Sequence, residues 1–142
     1  MNNKNLLSFD TFCTKTNLKC IREKIQKFLI EKHIKDPDQY LIILAVDEIC
    51  ANSMIHANNE DPCKHLSVKA RLNKNELHIE ITDEGKIFDY QKYQTPKIDD
   101  LVNLKSKGSM GLMLVNKIMD KIEYTRQGNK NVCRITKKMM AA

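Results

Sequence analysis

Hydrophobic residues dominate one stretch near the middle of the chain, at 41–58. Placed at about 100° per residue, its apolar side chains cover most of the circumference of a helix, which is typical of a buried helix. Glu48, Asn52 and His56 nevertheless follow one another at intervals of four residues. A buried carboxylate or amide is costly unless something satisfies it. Two interpretations are open: these side chains cap neighbouring loops, or they line a site completed by a metal ion or a ligand.

Alternating and helical patterns define the remaining elements. Residues 65–72 and 76–82 each alternate apolar and polar side chains on either side of a short turn, which predicts an antiparallel hairpin with one buried face. The predicted order is a strand at 6–13, a helix at 18–33, the buried helix, strands at 65–72 and 76–82, a polar segment at 86–107, a helix at 112–120, and strands at 121–126 and 132–137. This order predicts an α+β fold, a two-layer α/β sandwich with helices on one face of a mostly antiparallel sheet.

The polar segment at 86–107 has no convincing periodicity. A stretch of about twenty residues without secondary structure is uncommon inside a compact domain. Such a stretch is usually a lid, a binding loop or disorder, and all three remain open from its residues alone.

Length and charge narrow the classes of function. The 142 residues, of which 42% are hydrophobic and 30% charged, have the size and balance of one globular domain, predicted at 1–142. The net charge of +6 comes from scattered lysines that are rarely interleaved with aromatic residues. This pattern favours solubility and an anionic ligand over nucleic acid.

Cysteines and terminal composition indicate the compartment. The five cysteines are odd in number and form no Cys-x-x-Cys pair, which argues against a disulfide framework and a zinc site and favours the cytoplasm. The polar start of the chain predicts no signal peptide, and no apolar run approaches the ~18 residues that a membrane span needs.

Three short motifs bear on chemistry, and the first is Glu48-x-x-x-Asn52. An asparagine amide oxygen suits Mg²⁺ as a single protein ligand, because that ion keeps its other positions for water and phosphate. Glu48 lies one helical turn away and can take a proton from a hydroxyl group held beside it.

The second motif, Asp83-Glu84-Gly85, follows a strand that is predicted to be buried. A carboxylate at this place can accept a hydrogen bond from the exocyclic amine of adenine, and a glycine lets the ring approach the backbone. Taken alone, the same residues also suit an ordinary turn at the end of a strand.

The third motif, 108–111, leads into a predicted helix. Small residues leave backbone amides bare, and a helix N-terminus attracts phosphate oxygens. Lys105 and Lys107 add positive charge just before it, although many helices begin after a glycine and many loop lysines are simply solvated.

The order and spacing of the three motifs resemble those of the GHKL ATPase superfamily. The resemblance rests on Glu48-x-x-x-Asn52-x-x-x-His56-Ala57, Asp83-x-Gly85-x-x-Phe88-Asp89 and Gly111-Leu112-x-Leu114-Val115-x-x-Ile118-Met119-Asp120, and on a last hairpin containing Gly128-x-x-Asn131-Val132. It covers about 18–137 and is closest to the stand-alone anti-sigma-factor serine/threonine kinases of bacteria.

This resemblance implies the Bergerat ATP-binding fold, with ATP and Mg²⁺ as cofactors. Asn52 would then hold Mg²⁺, Glu48 would be the general base, Asp83 would bind the adenine amine and Gly85 would lie under the ring. The other residues expected to bind nucleotide are His56, Lys107, Gly108, Ser109, Met110, Gly111 and Leu112, beneath a lid at about 86–107. The sequence departs from the family at Ser109 and Ile87, which stand where glycines are usual.

The function that the resemblance implies is a protein serine/threonine kinase. Such a protein sequesters a sigma factor, phosphorylates a STAS-type antagonist protein to inactivate it, and commonly forms a homodimer through its sheet. Two alternatives are a non-enzymatic ATP-sensing binding module and the detached catalytic domain of a histidine kinase. Retention of Glu48 favours the kinase over the sensor, because a sensor has less need of a base.

Overall fold

The hydrophobic pattern is realised as a sheet with helices packed on one of its faces. The computed structural model describes residues 5–87 and 109–139. Within them lie β1 (Leu6–Phe12), α1 (Leu18–Glu31), α2 (Asp38–Asn52), β2 (His65–Asn73), β3 (Glu76–Asp83), α3 (Ser109–Ile118), β4 (Lys121–Gln127) and β5 (Lys130–Lys138). A 3₁₀ turn, Lys15–Asn17, precedes α1, and a π-helical turn, Ser53–Ala57, continues α2.

The strands form an antiparallel sheet in the order β1-β2-β3-β5-β4. Because side chains alternate between the faces of a strand, the register sets Val68, Ile81 and Cys133 side by side on one face. This face is buried, whereas Glu80 and Arg134 on the other face form an exposed ion pair at 2.8 Å. The predicted α+β class and the predicted hairpin are therefore confirmed.

The core fills the space between the buried sheet face and the helices. The fully buried side chains of the helices and strands include Ile21, Ile25 and Leu29 of α1, Ile42 and Ile49 of α2, and Leu66, Leu77, Ile79, Ile81 and Ile135 of the sheet. Burial of such apolar area contributes roughly 25 cal/mol per Å² and is the main favourable term in folding. The central helix α2 contacts both α1 and α3, so it lies in the middle of the helical layer.

The central helix differs from its predicted bounds of 41–58. It begins at Asp38, where the carboxylate of the preceding Asp36 accepts a hydrogen bond from the Tyr40 amide at 3.0 Å. Regular α-helix ends at Asn52, and the chain continues as a π turn in which the Asn58 amide donates to the Ser53 carbonyl at 3.1 Å. The expected four-residue spacing from Asn52 to His56 therefore does not lie on a regular α-helix.

The expectation that no apolar stretch reaches membrane-spanning length was wrong. Among the described residues, the segment Asp38–Ala57 is long and apolar enough to cross a membrane by length and composition alone. Half of that segment is buried inside the fold. Its apolar character is accounted for by its central place among the helices, because a helix that is apolar nearly all round suits burial.

Two other helices also differ from their predicted ends. Helix α1 ends at Glu31 rather than at residue 33, since His33 adopts a positive φ of 62° that a helix does not continue through. Helix α3 begins at Ser109 rather than at residue 112 and ends at Ile118 rather than at 120. Three residues of the expected glycine-containing motif thus belong to the backbone of the first helical turn.

The C-terminal end of α3 is fixed to β5 by side-chain and backbone hydrogen bonds. Lys137 Nζ donates to the Ile118 carbonyl at 2.9 Å, which satisfies a carbonyl left open at the helix end. The Asp120 amide donates to the Thr136 carbonyl at 2.9 Å, and Asp120 Oδ2 accepts from the Lys138 amide at 2.6 Å. A cation at this end also interacts favourably with the helix dipole.

Lys137→Met keeps most of the aliphatic stem and removes the charge and the hydrogen bond. We expect it to lower the free energy of unfolding by about 1 kcal/mol, measured by urea denaturation. The matched control is Lys138→Met, because the Lys138 side chain is exposed and only its backbone amide contacts Asp120. Equal stability of the two variants would contradict a stabilising role for the Lys137 side chain.

Candidate functional site

A pocket lies where the C-terminal part of α2, the end of β3 and the β4–β5 hairpin meet. Apolar side chains line one part of it and hydrogen-bonding side chains the other. The lining residues are Ile49, Asn52, Ser53, Ile81, Asp83, Tyr124, Asn131 and Cys133. Two of the residues expected to form a site, Asn52 and Asp83, are therefore brought together.

Asp83 ends β3 and is only 6% exposed. Its Oδ1 accepts hydrogen bonds from the Gly85 amide at 2.8 Å and from Asn131 Nδ2 at 2.9 Å. Its Oδ2 accepts one from Ser53 Oγ at 2.6 Å. A carboxylate offers about four acceptor positions, so these three donors leave one position on Oδ2.

Gly85 lies against the π turn, and the contact accounts for a glycine at this place. A Cβ atom added to it would lie 2.3 Å from the Ala57 carbonyl oxygen and 2.7 Å from Asn58 Oδ1. The Lys86 amide donates to the same Ala57 carbonyl at 3.0 Å. The expectation that Gly85 lies under an adenine ring stays a prediction beside this packing requirement.

Ser53, Asn131 and Arg126 are contacts of Asp83 and its turn to which the sequence alone assigned no role. Asn131 Nδ2 also donates to the Lys86 carbonyl at 2.8 Å, and Arg126 Nη1 donates to the Gly85 carbonyl at 2.8 Å. A signal was available for Asn131, because it occupies the same strand face as the buried Cys133. A polar residue in an otherwise apolar, inward-facing series indicates a buried hydrogen bond.

Asn52 is the last residue of α2 and is 5% exposed. Its Nδ2 atom is buried without a hydrogen-bond partner among residues 5–87 and 109–139. Such atoms are rare and each calls for an explanation. An amide group exchanges its nitrogen and oxygen by a half-turn, so the side chain fits an external ligand, including a cation that prefers oxygen.

Glu48 lies one turn before Asn52 and is half-buried. Loss of solvent raises its pKa above that of an ordinary glutamate, and the neighbouring Asp47 carboxylate raises the pKa further. A carboxyl group of this kind is a better proton acceptor once ionised than an exposed glutamate is. The geometry thus places a candidate base and a candidate ligand on adjacent turns of one helix.

For the remaining expected site residues, the structure gives the element in which some of them lie. His56 lies, partly buried, in the π turn. Ser109, Met110, Gly111 and Leu112 form the first turn of α3. Lys107, Gly108 and most of the predicted lid at 86–107 lie outside the described residues. The roles expected of all these residues stay predictions.

The part of the chain that the structure describes holds no candidate metal cluster, and burial makes two of its thiols inert. No group of three or more His, Cys, Asp or Glu side chains there could hold a metal ion. Burial raises the pKa of Cys13 to about 11 and that of Cys133 to about 12. Thiols with such pKa values stay protonated and inert at neutral pH.

Comparison with known proteins identifies the family to which the chain belongs. Residues 13–137 match the histidine kinase-like ATPase domain family. Because this match spans most of the chain, the protein belongs to that family. The resemblance inferred from the three motifs is confirmed at this level.

Proteins named as serine-protein kinases are among the relatives of this chain. The chain is 32% identical over 95 residues to the serine-protein kinase RsbW of Bacillus subtilis, an alignment covering 63% of this chain and 58% of that protein. It is 33% identical over 90 residues to RsbW of Halalkalibacterium halodurans, covering 58% and 52%. The chain thus spans somewhat more than half the length of the relatives that it matches.

Solved structures share the fold at low sequence identity. The RsbU and RsbW domains of a Mycobacterium tuberculosis protein superpose with a TM-score of 0.65 at 13% identity, covering 94% of this chain and 32% of that one. The SiaB–SiaC complex of Pseudomonas aeruginosa contains a chain that superposes with a TM-score of 0.63 at 12% identity, covering 95% and 91%. These similarities establish the predicted histidine-kinase-like fold.

Glu48→Gln removes a carboxyl group whose charged form burial disfavours. Because the pKa of Glu48 is higher in the folded state than in the unfolded state, the protonated carboxyl group favours folding. This stabilisation is complete below the unfolded-state pKa and is lost as the pH rises through the folded-state pKa. We therefore expect the variant to unfold at a higher temperature than the wild type near pH 7, and the difference to vanish near about pH 4. Thermal melts across this range measure the effect.

The exposed Glu23→Gln on α1 is the control for a change of charge alone. An increase in the unfolding temperature of Glu48→Gln that is independent of pH would contradict the desolvation of this carboxyl group. A decrease in its unfolding temperature at neutral pH would contradict it as well.

Proposed function

We propose that this protein binds ATP·Mg²⁺ in the pocket beside Asp83 and phosphorylates a serine or threonine of a STAS-type antagonist protein, while sequestering a sigma factor when that antagonist is absent. The observation that carries the proposal is the presence of two buried polar side chains in one pocket. Asp83 has three of its about four acceptor positions occupied, and the side-chain nitrogen of Asn52 has no hydrogen-bond partner among the described residues. Membership of the ATPase-domain family and the names of the RsbW relatives support it.

Asp83 has the chemistry to recognise adenine. Its remaining acceptor position, on Oδ2, matches a single N–H donor such as the exocyclic amine. A base presenting a carbonyl oxygen at the same position would meet the negative carboxylate without a proton between them. The pocket has a volume of about 10 Å³, room for about one water molecule, so an adenine ring would enter by displacing the side chains around it, including Ile49 and Ile81.

Asn52 is the proposed ligand of Mg²⁺. It is the polar lining side chain of α2 with an unpartnered buried nitrogen, and a half-turn of the amide offers its oxygen instead. The rest of the coordination would come from water and phosphate oxygens. Mg²⁺ commonly binds in this way, and when bound it neutralises charge on the transferred phosphoryl group.

Glu48 is the proposed general base. Its carboxylate accepts the proton of the acceptor hydroxyl, and its raised pKa moves it toward the range in which a base works efficiently. The residues expected near the phosphates are His56 and the segment 107–112, with the lid at about 86–107 closing over them. Ser109 and Ile87, at positions where the family usually has glycine, bear directly on how tightly the phosphates are held.

Three further parts complete the proposal. The single domain at 1–142 rests on the size of the chain, the cytoplasmic location on its cysteine pattern, and the homodimer formed through the sheet on family resemblance. The alternative function is an ATP-sensing binding module without transfer activity. The observation that favours it is the presence of Ser109 and Ile87 at positions where the family usually has glycine, which bears on whether the phosphates are held well enough for transfer.

Asn52→Ala tests the assignment of the metal ligand. Because the asparagine nitrogen is buried and unpartnered, we expect the variant to unfold at a temperature equal to or above that of the wild type. We also expect it to lose most of the additional ATP affinity that Mg²⁺ confers, while affinity in EDTA changes less than about threefold. Isothermal titration with and without Mg²⁺ gives both values, and an equal loss in both conditions would contradict the role.

Glu48→Gln tests catalysis. A positioned base contributes about 10²–10⁴-fold, so the variant should transfer labelled phosphate to STAS-type proteins of the same genome slower by that factor. Its ATP affinity should stay within a few-fold of the wild type, and Glu23→Gln should be unchanged in both assays. ATP binding by the wild type without transfer to any candidate would favour the sensor instead.

A further inference from the structure

Three neighbouring strands present a row of polar side chains across the sheet at one level. The register pairs Arg126 of β4 with Asn131 of β5, and Asn131 with Asp83 of β3. Arg126 Nη1 donates to Asn131 Oδ1 at 3.1 Å, and Asn131 Nδ2 donates to Asp83 Oδ1 at 2.9 Å. The row therefore forms a directional chain of hydrogen bonds that ends on the carboxylate of the pocket.

The same two donors hold the backbone that follows Asp83. Arg126 Nη1 donates to the Gly85 carbonyl at 2.8 Å, and Asn131 Nδ2 donates to the Lys86 carbonyl at 2.8 Å. On the other side of this turn, the Lys86 amide donates to the Ala57 carbonyl at 3.0 Å. The turn at 84–86 is thus held between the β4–β5 hairpin and the end of the central helix.

From this arrangement we infer that Arg126 is a positioning residue that determines base selectivity, an inference that rests on the proposed binding of ATP. An asparagine amide can rotate by a half-turn and exchange its donor and acceptor ends. Arg126 has only donors to offer, so it reinforces the orientation in which the Asn131 oxygen faces β4 and the nitrogen faces two acceptors, Asp83 Oδ1 and the Lys86 carbonyl. Oδ1 of Asp83 is thereby kept occupied, and Oδ2 keeps the one open acceptor position for the amine of adenine.

Arg126 acts through Asn131 and Asp83, so its loss has a particular signature. Binding of a base that donates to Asp83 should weaken, whereas binding of a base without that donor should change little. Unsubstituted purine is the appropriate probe, because a hydrogen atom replaces the adenine amine while N1 remains an acceptor as in adenine.

The experiment compares the affinities of ATP and purine riboside triphosphate by isothermal titration in EDTA for three variants of the full chain. Arg126→Met should weaken ATP binding by about tenfold and binding of purine riboside triphosphate by less than about twofold, so that the preference for ATP largely disappears. Arg126→Lys, which keeps one donor and the charge, should lie between Arg126→Met and the wild type. The control is Arg134→Met, which also removes an exposed arginine with a 2.8 Å bond to its partner, on the opposite sheet face. It should keep the wild-type preference.

The outcomes separate this inference from the function on which it rests. Wild-type protein that binds neither nucleotide would overturn the proposed function and this inference together. Wild-type protein that prefers ATP, with Arg126→Met losing affinity for ATP and for purine riboside triphosphate by equal factors, would overturn the inference alone. The same holds if Arg126→Met only lowers the melting temperature, because a purely structural role does not alter the ratio of the two affinities.

Discussion

The arrangement of the site depends on burying one carboxylate, that of Asp83. A charge removed from water in this way must receive hydrogen bonds, and its donors come from three separate parts of the chain. Ser53 brings the end of the central helix, the Gly85 amide brings the following turn, and Asn131 brings the last strand. Satisfying this group therefore fixes the positions of the elements that surround the pocket, and stability and binding chemistry share the same contacts.

The sequence was sufficient for features that depend on local periodicity. Alternation in β2 and β3, with a polar turn between them, correctly predicted a hairpin with one buried face, and the near-absence of a polar side correctly predicted a central helix. Asn52 and Asp83 were selected as candidate site residues because each is a polar side chain at a place where its element is otherwise buried, and the structure places both in one pocket. That these two residues lie close together in space could be predicted only from the family resemblance, because their separation along the chain does not show it.

Other features arise from tertiary contacts that local sequence does not encode. The residues of the π turn are compatible with ordinary α-helix, and its hydrogen bond from Asn58 to Ser53 forms beside the closely packed Gly85. Arg126 resembles any surface arginine until the register places it opposite Asn131. The start of α3 at Ser109 was missed because glycine and serine residues favour a turn when read alone.

The central claim is that the pocket beside Asp83 and Asn52 receives an adenine nucleotide. The most direct measurement is a crystal structure of the protein with Mg²⁺ and a non-hydrolysable ATP analogue. The account predicts the adenine amine within hydrogen-bonding distance of Asp83 Oδ2 and the metal ion on the side-chain oxygen of Asn52. A nucleotide bound elsewhere, or bound here with its amine directed away from Asp83, would contradict it.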